Sequence, residues 1–344
     1  MARLLCGVYC GDHAGEMQTF ADWIGARPDL ASVHGGEDNL DAFIAVDFDL
    51  GVHEWNGPKC ISLPLIWGGV TLADAAAGLC DEGWKAGVLK LLNQQSIAGV
   101  DGYPKTDVVY VRIGWEQNAG WMQWATQNNG QEPAFVTAFR RLVGILRAAD
   151  TEGRTRIVWC PNIGQEPAEN TYPGDDCVDV VALDFYWQPE FGAPADPVEA
   201  FAYMRTQGNG LDWQVAFAKA HGKGLAVAEW GVEQDDAAPY IDAAFAFFVA
   251  NEYIYANYWD SDAAFKGKLS PDVVSGASQY PAAAAAYRSA VRAIQGVDAA
   301  AVLKAVPPVV LPVPAAPVLV AEPSGITLTL SAALLPGTYT LTPQ

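Results

Sequence analysis

The stretch "DVVYVRIGWE", residues Asp107–Glu116, is followed after a polar segment by "PAFVTAFRRLVGILRAA", residues 133–149. The first run is apolar and rich in Val and Tyr, which predicts a strand buried on both faces. The second run repeats apolar residues at helical spacing and predicts an amphipathic helix. Together they form one βα unit, because a parallel strand needs a long, usually helical, connection to the next strand.

The same pairing of a strand with a helix recurs along the chain. The eight strand candidates are "LLCGVYCG" (4–11), "ASVHGG" (31–36), "CISLPLIWGG" (60–69), "DVVYVRIGWE" (107–116), "RIVWCPN" (156–162), "CVDVVALDFYW" (177–187), "GLAVAEWG" (224–231) and "YIYANYWD" (253–260). Eight such units without a glycine-rich phosphate loop favour a closed (β/α)8 TIM barrel over a doubly wound open sheet. The sequence therefore predicts a catalytic barrel over residues 1–296.

The composition of the chain changes after about Gly296. Residues 297–322 are rich in Pro and predict an extended linker. Residues 323–344 alternate Thr with Leu around a turn at Pro336-Gly337, which predicts a small β-hairpin extension. A lone hairpin is marginal in water, so we expect this extension to dock, to pair with another copy or to attach the barrel to a larger assembly.

Charge and cysteine content exclude several classes of function. The 344 residues carry a net charge of −20 from 40 acidic and 20 basic side chains, which disfavours binding to nucleic acid or to an anionic membrane. The first residues, "MARLLCGVYCG", are too short a run for a signal peptide, which leaves the location open. The six cysteines lack metal-type spacing and are expected to be mostly buried thiols, although Cys160 and Cys177 could pair. We expect no metal and no cofactor.

The residues at the ends of the predicted strands indicate the chemistry, because barrel enzymes work at the carboxyl ends of their strands. Glu116 ends the fourth strand and Glu229 ends the seventh, and side chains from these strands can converge over the mouth of the barrel. Asp184 and Tyr186 end the sixth strand, and Trp259 ends the eighth. Two facing carboxylates predict glycoside hydrolysis, in which one acid protonates the leaving oxygen and the other attacks or activates water.

Tryptophans near the strand ends support a sugar ligand, since indole faces stack on the C–H faces of sugar rings. The candidates for substrate contact are Trp67, Trp121, Trp124, Trp187 and Trp259, together with Arg112, Asp184 and Tyr186 and with His34 as a further subsite residue. Other interpretations stay open at this point. Aromatic rings also fill the cores of barrel mouths, Arg112 could be a structural ion-pair partner, and Asp184 could anchor a turn.

The segment "RIGWEQNAGWMQW" (112–124) resembles the acid/base segment of glycoside hydrolase family 26, the β-mannanase-type barrels. That pattern has an Arg, a Glu four residues later and a Trp five residues after the Glu, here Arg112, Glu116 and Trp121. The segments "YPGDDCVDVVALDFYW" (172–187) and "GLAVAEWG" (224–231) resemble the sixth-strand and nucleophile segments of the family. The resemblance covers roughly residues 1 to 295.

This resemblance implies a role for each residue of the site. Glu116 would be the general acid/base and Glu229 the nucleophile of a retaining mechanism. Tyr186 would donate a hydrogen bond to the nucleophile, Arg112 would orient carboxylates, and Trp259 would form the floor of the subsite that holds the cleaved sugar.

One position departs from the family, which has His directly before the acid/base Glu where this chain has Trp115. The departure concerns the substrate more than the fold, because Trp carries no charge and donates only one hydrogen bond. We therefore expect a retaining endo-glycosidase acting on a β-linked polysaccharide. Mannan, mixed-linkage glucan, xylan and a bacterial exopolysaccharide are all open. The alternative is a carbohydrate-binding or particle-attached protein on a barrel with little or no activity.

Overall fold

The eight predicted strands are confirmed and close into a barrel. The computed structural model describes residues 3–11, 15–45, 57–93, 106, 108–272, 275–296, 318–322 and 325–329. The barrel strands are β1 (Leu5–Tyr9), β2 (Leu30–His34), β3 (Lys59–Leu63), β4 (Val109–Ile113), β5 (Thr155–Trp159), β6 (Val180–Trp187), β7 (Gly224–Val232) and β8 (Tyr255–Trp259). They are parallel and follow one another in chain order, and β8 pairs with β1.

Helices surround the barrel, as the periodicity predicts. They are α1 (Glu16–Ile24), α2 (Leu40–Ala45), α3 (Leu72–Ala77), α4 (Asp81–Leu92), α5 (Glu132–Ala149), α6 (Pro197–Thr206), α7 (Leu211–His221), α8 (Ala238–Ala250) and α9 (Pro281–Ile294). Helix α3 begins with a capping box, in which the Thr71 side chain accepts a hydrogen bond from the Asp74 backbone N–H at 3.1 Å. This arrangement satisfies N–H groups that the first helical turn leaves unpaired.

Two properties of the described residues bear on the class of protein. None of their helices combines the length and the apolar character that a membrane crossing requires. All six cysteines are buried free thiols, so Cys160 and Cys177 do not pair.

An irregularity in β7 helps to place Glu229. Leu183 of β6 pairs with Val227, but the next residue, Asp184, pairs with Glu229, so that Ala228 is an extra residue in β7. A bulge of this kind bends the strand and re-aims the side chains that follow it. In this barrel it puts Glu229 level with Asp184, at the carboxyl ends of both strands.

The C-terminal residues form a unit of their own, Leu303–Gln344, apart from the unit Met1–Val302. Within it, β9 (Val318–Glu322) and β10 (Gly325–Thr329) pair antiparallel. The hairpin thus begins earlier than the sequence predicts, since β9 lies in the segment expected to be an extended linker. The Val and Leu residues that follow the last closely spaced prolines favour a strand there. The predicted turn at Pro336-Gly337 lies outside the described residues.

Gly7 offers a test of packing inside the barrel. It pairs with Asn257 of β8, and a Cβ at residue 7 would overlap the side-chain oxygen of Asn257, which is buried. We expect Gly7→Ala to lower the free energy of unfolding by about 1–3 kcal/mol, the usual cost of overpacking a core. Urea unfolding measures this change.

Gly144→Ala is the matched control, because a Cβ at this position of α5 meets no atom within 4 Å. That variant should gain about 0.5–1 kcal/mol from the higher helix propensity of Ala. Equal stability of the two variants would show that the interior of the barrel is packed loosely around Gly7.

Candidate active site

A cavity of about 590 Å³ lies at the carboxyl ends of the strands and contains both predicted catalytic carboxylates. The residues that line it near these carboxylates are His34, Trp115, Glu116, Trp121, Asn162, Tyr186, Glu229, Trp259 and Phe265. They come from β2, β6, β7 and β8 and from the segments that follow β4, β5 and β8. The cavity is therefore assembled from most of the barrel, as in TIM-barrel enzymes.

Glu116 lies three residues beyond the end of β4, in a turn where its φ angle is 53°. This left-handed conformation is uncommon for a residue other than Gly and costs free energy, so the surroundings must hold it. The Glu116 backbone N–H donates to the Cys160 carbonyl at 2.8 Å. Its carboxylate accepts hydrogen bonds from the Trp121 indole at 2.5 Å and from the Asn162 amide at 2.7 Å. The turn thus aims the acid at the cavity and fixes its orientation.

The environment of Glu116 favours its protonated form. Burial raises the pKa of Glu116 to about 7, and the negative charge of Glu229 adds to the effect. The hydrogen bonds from Trp121 and Asn162 and the charge of Arg112 act in the opposite direction but do not cancel it. A carboxyl group with this pKa can hold a proton near neutral pH and release it during a reaction.

Glu229 lies in the same cavity in the opposite electrostatic situation. Its Oε1 atom accepts a hydrogen bond from Arg112 and lies 2.9 Å from Nε2 of His34, and its Oε2 atom accepts from the Tyr186 hydroxyl at 2.5 Å. Burial alone would raise the pKa of Glu229, but Arg112, His34 and Tyr186 outweigh burial and lower it to about 2. In the folded protein at neutral pH, Glu229 is therefore ionised.

Arg112 connects the carboxylates from beneath the cavity. The guanidinium is fully buried and donates to Ser62 at 2.9 Å, to Asp184 at 2.6 Å and to Glu229. Asp184 is also fully buried and accepts a further hydrogen bond from the Cys160 thiol at 3.2 Å. A buried charge needs such partners because its desolvation costs several kcal/mol.

Some of the predicted site residues line the cavity and others do not. Six of them line it, namely Glu116, Glu229, His34, Trp121, Tyr186 and Trp259. Arg112 and Asp184 were predicted to contact substrate, but both lie beneath the cavity with no exposed surface. Arg112 donates to both Asp184 and Glu229, so this buried pair positions the nucleophile candidate from beneath the cavity.

Three predicted sugar platforms are corrected by their burial. The Trp124 indole has no exposed surface and donates to the Trp115 carbonyl at 2.6 Å. Trp187 has no exposed surface either and donates to the Pro194 carbonyl at 2.9 Å, and Trp67 packs in the main apolar core. A sugar can stack only on an accessible ring face, and none of these three rings is among the residues that line the cavity.

Two residues that line the cavity, Asn162 and Phe265, and one behind it, Tyr9, were not predicted from the sequence. Asn162 follows β5 in "WCPN" and holds Glu116, and its place as a polar residue at a strand end was a usable signal. Tyr9, at the end of β1, stacks on Trp259 with 4.2 Å between ring centroids. The ring centroids of Phe265 and Tyr186 are 4.4 Å apart. Phe265 comes from a loop, where the sequence has no periodicity from which its position could be predicted.

Comparison with known proteins supports a glycoside hydrolase. The sequence model of Glycosyl hydrolase family 26 matches residues 102–267, the segment that contains both cavity carboxylates. No curated protein matches the chain. The family match confirms the sequence resemblance to glycoside hydrolase family 26. The protein is a glycoside hydrolase.

Solved structures with the same fold include three mannanases. A family 26 β-mannanase from Bacteroides ovatus superposes with a TM-score of 0.57 at 14% identity, over 85% of this chain and 89% of that one. A Bacillus subtilis mannanase gives 0.54 at 19% identity, over 77% and 83%. A modular endo-β-1,4-mannanase from Cellulomonas fimi gives 0.56 at 18% identity, over 84% and 70%. At these identities the likeness shows the barrel fold.

The raised pKa of Glu116 predicts a pH dependence of stability that requires no knowledge of activity. Between the ordinary pKa of a glutamate and about 7, the folded state holds a proton that the unfolded state has released. Stability contributed by this residue is therefore lost as pH rises through that window. Relative to wild type, we expect Glu116→Gln to gain on the order of 2–3 kcal/mol between pH 4 and pH 8.

Urea unfolding at the two pH values measures this difference. Glu82→Gln is the control for the removal of a surface carboxylate, since the Glu82 side chain is 86% exposed on α4. Parallel pH dependences of Glu116→Gln and wild type would mean that Glu116 is solvated.

Proposed function

We propose that this protein is a retaining endo-glycoside hydrolase that cleaves a β-linked polysaccharide. The observation that carries the proposal is the separation of pKa values in one cavity, about 7 for Glu116 and about 2 for Glu229. A pair of carboxyl groups pushed apart in this way can act near pH 6 as one acid and one ionised nucleophile.

In the first step of the proposed mechanism, Glu116 donates its proton to the glycosidic oxygen while a carboxylate oxygen of Glu229 attacks the anomeric carbon. The bond from that carbon to the glycosidic oxygen breaks, and the leaving sugar departs with the proton. In the second step, Glu116 takes a proton from water, whose oxygen attacks the anomeric carbon and displaces Glu229. One water is consumed, and the configuration at the anomeric carbon is retained.

The contacts of Glu229 suit this role. Arg112 and His34 both hold Oε1, whereas Oε2 accepts only the hydroxyl of Tyr186 among the described residues. Oε2 thus has the greater freedom to bond to carbon, while the guanidinium keeps the carboxylate ionised in a buried position. Trp259, held against Tyr9, offers an aromatic surface beside the nucleophile for the sugar that is attacked.

Mannan is the first substrate to test, because the three solved structures compared above are mannanases. Trp115 lines the cavity next to Glu116, in the position where the resembled family has His. An indole here presents an apolar face to the sugar, so β-glucan and a bacterial exopolysaccharide belong in the same panel as mannan.

Replacement of Glu229 tests the nucleophile. We expect Glu229→Gln to lose activity on the best substrate of the panel by roughly ten-thousand-fold or more, since the amide cannot attack the anomeric carbon. Release of reducing ends measures the loss, and circular dichroism checks that the barrel remains folded. The exposed Glu82→Gln variant should keep wild-type activity.

Two results would count against the proposal. Wild-type rates in Glu229→Gln would remove Glu229 from the mechanism. Binding of a polysaccharide without any hydrolysis by the wild-type protein would favour the alternative, a carbohydrate-binding protein on a glycosidase-like barrel.

The pH profile of kcat/KM tests the assignment of Glu116 as the acid. Activity should fall on the alkaline side with an apparent pKa of about 7, because the acid must be protonated. The Trp121 hydrogen bond lowers the pKa of Glu116, so Trp121→Phe, which keeps an aromatic ring, should move the alkaline limb to higher pH. A limb that stays in place would show that Trp121 does not control the proton of Glu116.

A further inference from the structure

Three aromatic side chains are strongly exposed among the described residues, and all three line the same cavity. They are Trp121, Phe191 and Tyr203, with 57%, 78% and 37% of their surface exposed. Exposed aromatic rings that gather at one place mark a binding surface, whereas scattered ones need no explanation. Only Trp121 has a partner in the proposed mechanism, so Phe191 and Tyr203 require a separate role.

These rings lie on the side of the cavity occupied by the acid. Trp121 follows β4, Phe191 follows β6, and Tyr203 is on α6, the helix after β6. In the proposed mechanism, the sugar that Glu229 attacks lies instead beside Trp259 of β8 and His34 of β2, whose ring centroids are 5.7 Å apart. In a closed ring of eight strands, the sector of β4 to β6 lies across the mouth from the sector of β8 to β2. The leaving sugar must occupy the first sector, because Glu116 delivers its proton there.

The segment that carries Phe191 is firmly anchored. A 3₁₀ turn, Pro189–Phe191, ends at Gly192, whose φ angle of 96° suits a residue without a Cβ. The buried Trp187 indole donates to the Pro194 carbonyl at 2.9 Å and stacks on Tyr240 of α8 at 5.1 Å. The exposed Phe191 ring is thus held at the cavity by a buried tryptophan.

Amide side chains from the same sector line the cavity as well. They are Gln165 after β5, Gln188 after β6 and Gln207 after α6. The Gln207 side chain lies against Gly164, where a Cβ would meet its amide oxygen, and the Gln207 backbone N–H donates to the Tyr203 carbonyl at 3.0 Å. Amides donate and accept hydrogen bonds without charge, which matches sugar hydroxyls.

The charge of the lining excludes an acidic sugar. Among the described residues that line the cavity there is no Lys or Arg, and Arg112 lies buried beneath it on other partners. A uronate, sulfate or phosphate on this sugar would meet no cation to pair with. It would also lie near Glu116 and Glu229 in a chain whose net charge is −20.

We propose that Phe191 and Tyr203, with the amides of Gln165 and Gln207, form the subsite that binds an uncharged sugar on the leaving side of the cleaved bond. This inference rests on the proposed function and adds the residues and the charge class of the leaving sugar. The rings stack on the C–H faces of that sugar, and the amides bond its hydroxyls. The subsite also favours substrates whose leaving group is a sugar, since a smaller leaving group leaves the rings unused.

The test compares two substrates cleaved at the same site. One is the neutral polymer that the wild-type enzyme cleaves best, and the other is the β-glycosyl fluoride of the oligosaccharide that it releases, whose leaving group is activated and contains neither a sugar nor an aromatic ring. The measured quantity is the ratio of kcat/KM on the polymer to kcat/KM on the glycosyl fluoride. Phe191→Ala and Tyr203→Ala should each lower this ratio by about fivefold to tenfold, as expected for one lost stacking partner.

Two further variants separate stacking from a general disturbance of the segment. Phe191→Trp keeps an aromatic face and should keep a ratio close to that of wild type. Val198→Ala removes an equally accessible apolar side chain from α6, 50% exposed and outside the cavity lining, and should leave the ratio unchanged. A ratio unchanged in both alanine variants would overturn the subsite.

The charge class is tested with the same polymer after oxidation of its C6 hydroxyls to carboxylates. The wild-type enzyme should cleave this polymer at least tenfold more slowly than the neutral one, and a faster rate on the oxidised polymer would overturn the neutral subsite. A wild-type protein that hydrolyses neither polymer nor the glycosyl fluoride would overturn the proposed function, and the subsite with it. That outcome differs from failure of the subsite alone, in which the wild-type protein is active and the ratios do not move.

Discussion

The site depends on the ion pairs of one buried guanidinium. Arg112 comes from β4 and contacts Ser62 of β3, Asp184 of β6 and Glu229 of β7, so it links four strands across the interior of the barrel. Desolvation of these charges costs several kcal/mol per ion, and replacement by an apolar cluster would often be no less stable. The arrangement is therefore better explained by what it does to Glu229, which it keeps ionised in a place where burial alone would protonate it.

Glu116 has a higher pKa than Glu229 because, in the part of the chain that the structure describes, no cation is hydrogen-bonded to it. Its partners are two neutral donors, Trp121 and Asn162, and the nearby charge of Glu229 favours protonation. The left-handed backbone at Glu116 and the pKa of about 7 are both costs to folding. In the proposed mechanism they are the costs of an acid that must hold a proton near neutral pH, and a more stable residue at this position would not supply one.

Much of the fold could be predicted from the sequence because it follows from a repeated physical pattern. Each apolar run followed by a helical segment became one βα unit, and the strand ends placed Glu116 and Glu229 at the mouth. The strand-end rule gives the end of the barrel but not the face of the strand. In β6, Asp184 and Tyr186 face the interior, and the alternation of a strand puts Trp187 on the outer face towards α8. Trp124 and Trp67 could not be placed in this way, because both follow their strands in irregular segments.

The burial of Trp187 changes its relation to the site without removing it. By bonding Pro194 and stacking on Tyr240, it fixes the segment that presents Phe191 to the cavity. In the proposed subsite, Trp187 therefore contributes to sugar binding indirectly, by positioning the Phe191 ring. Such a role is invisible to a search for aromatic residues alone, since only the packing distinguishes the ring that binds from the ring that holds it.

Trp115 departs from the pattern of the resembled family and packs on two residues of the site. The Arg112 guanidinium carbon lies 5.1 Å from the centroid of the Trp115 ring, and the ring centroids of Trp115 and His34 are 5.3 Å apart. The position next to Glu116 is thus an apolar wall that packs on a cation, while the imidazole beside Glu229 comes from β2. In the proposed mechanism, the polar side chains beside the attacked sugar are His34 and Tyr186, and both already hold Glu229. Under that mechanism the sugar preference depends more on the apolar face of Trp115 than on the pair of carboxylates, because the carboxylates act at the cleaved bond whichever sugar is bound.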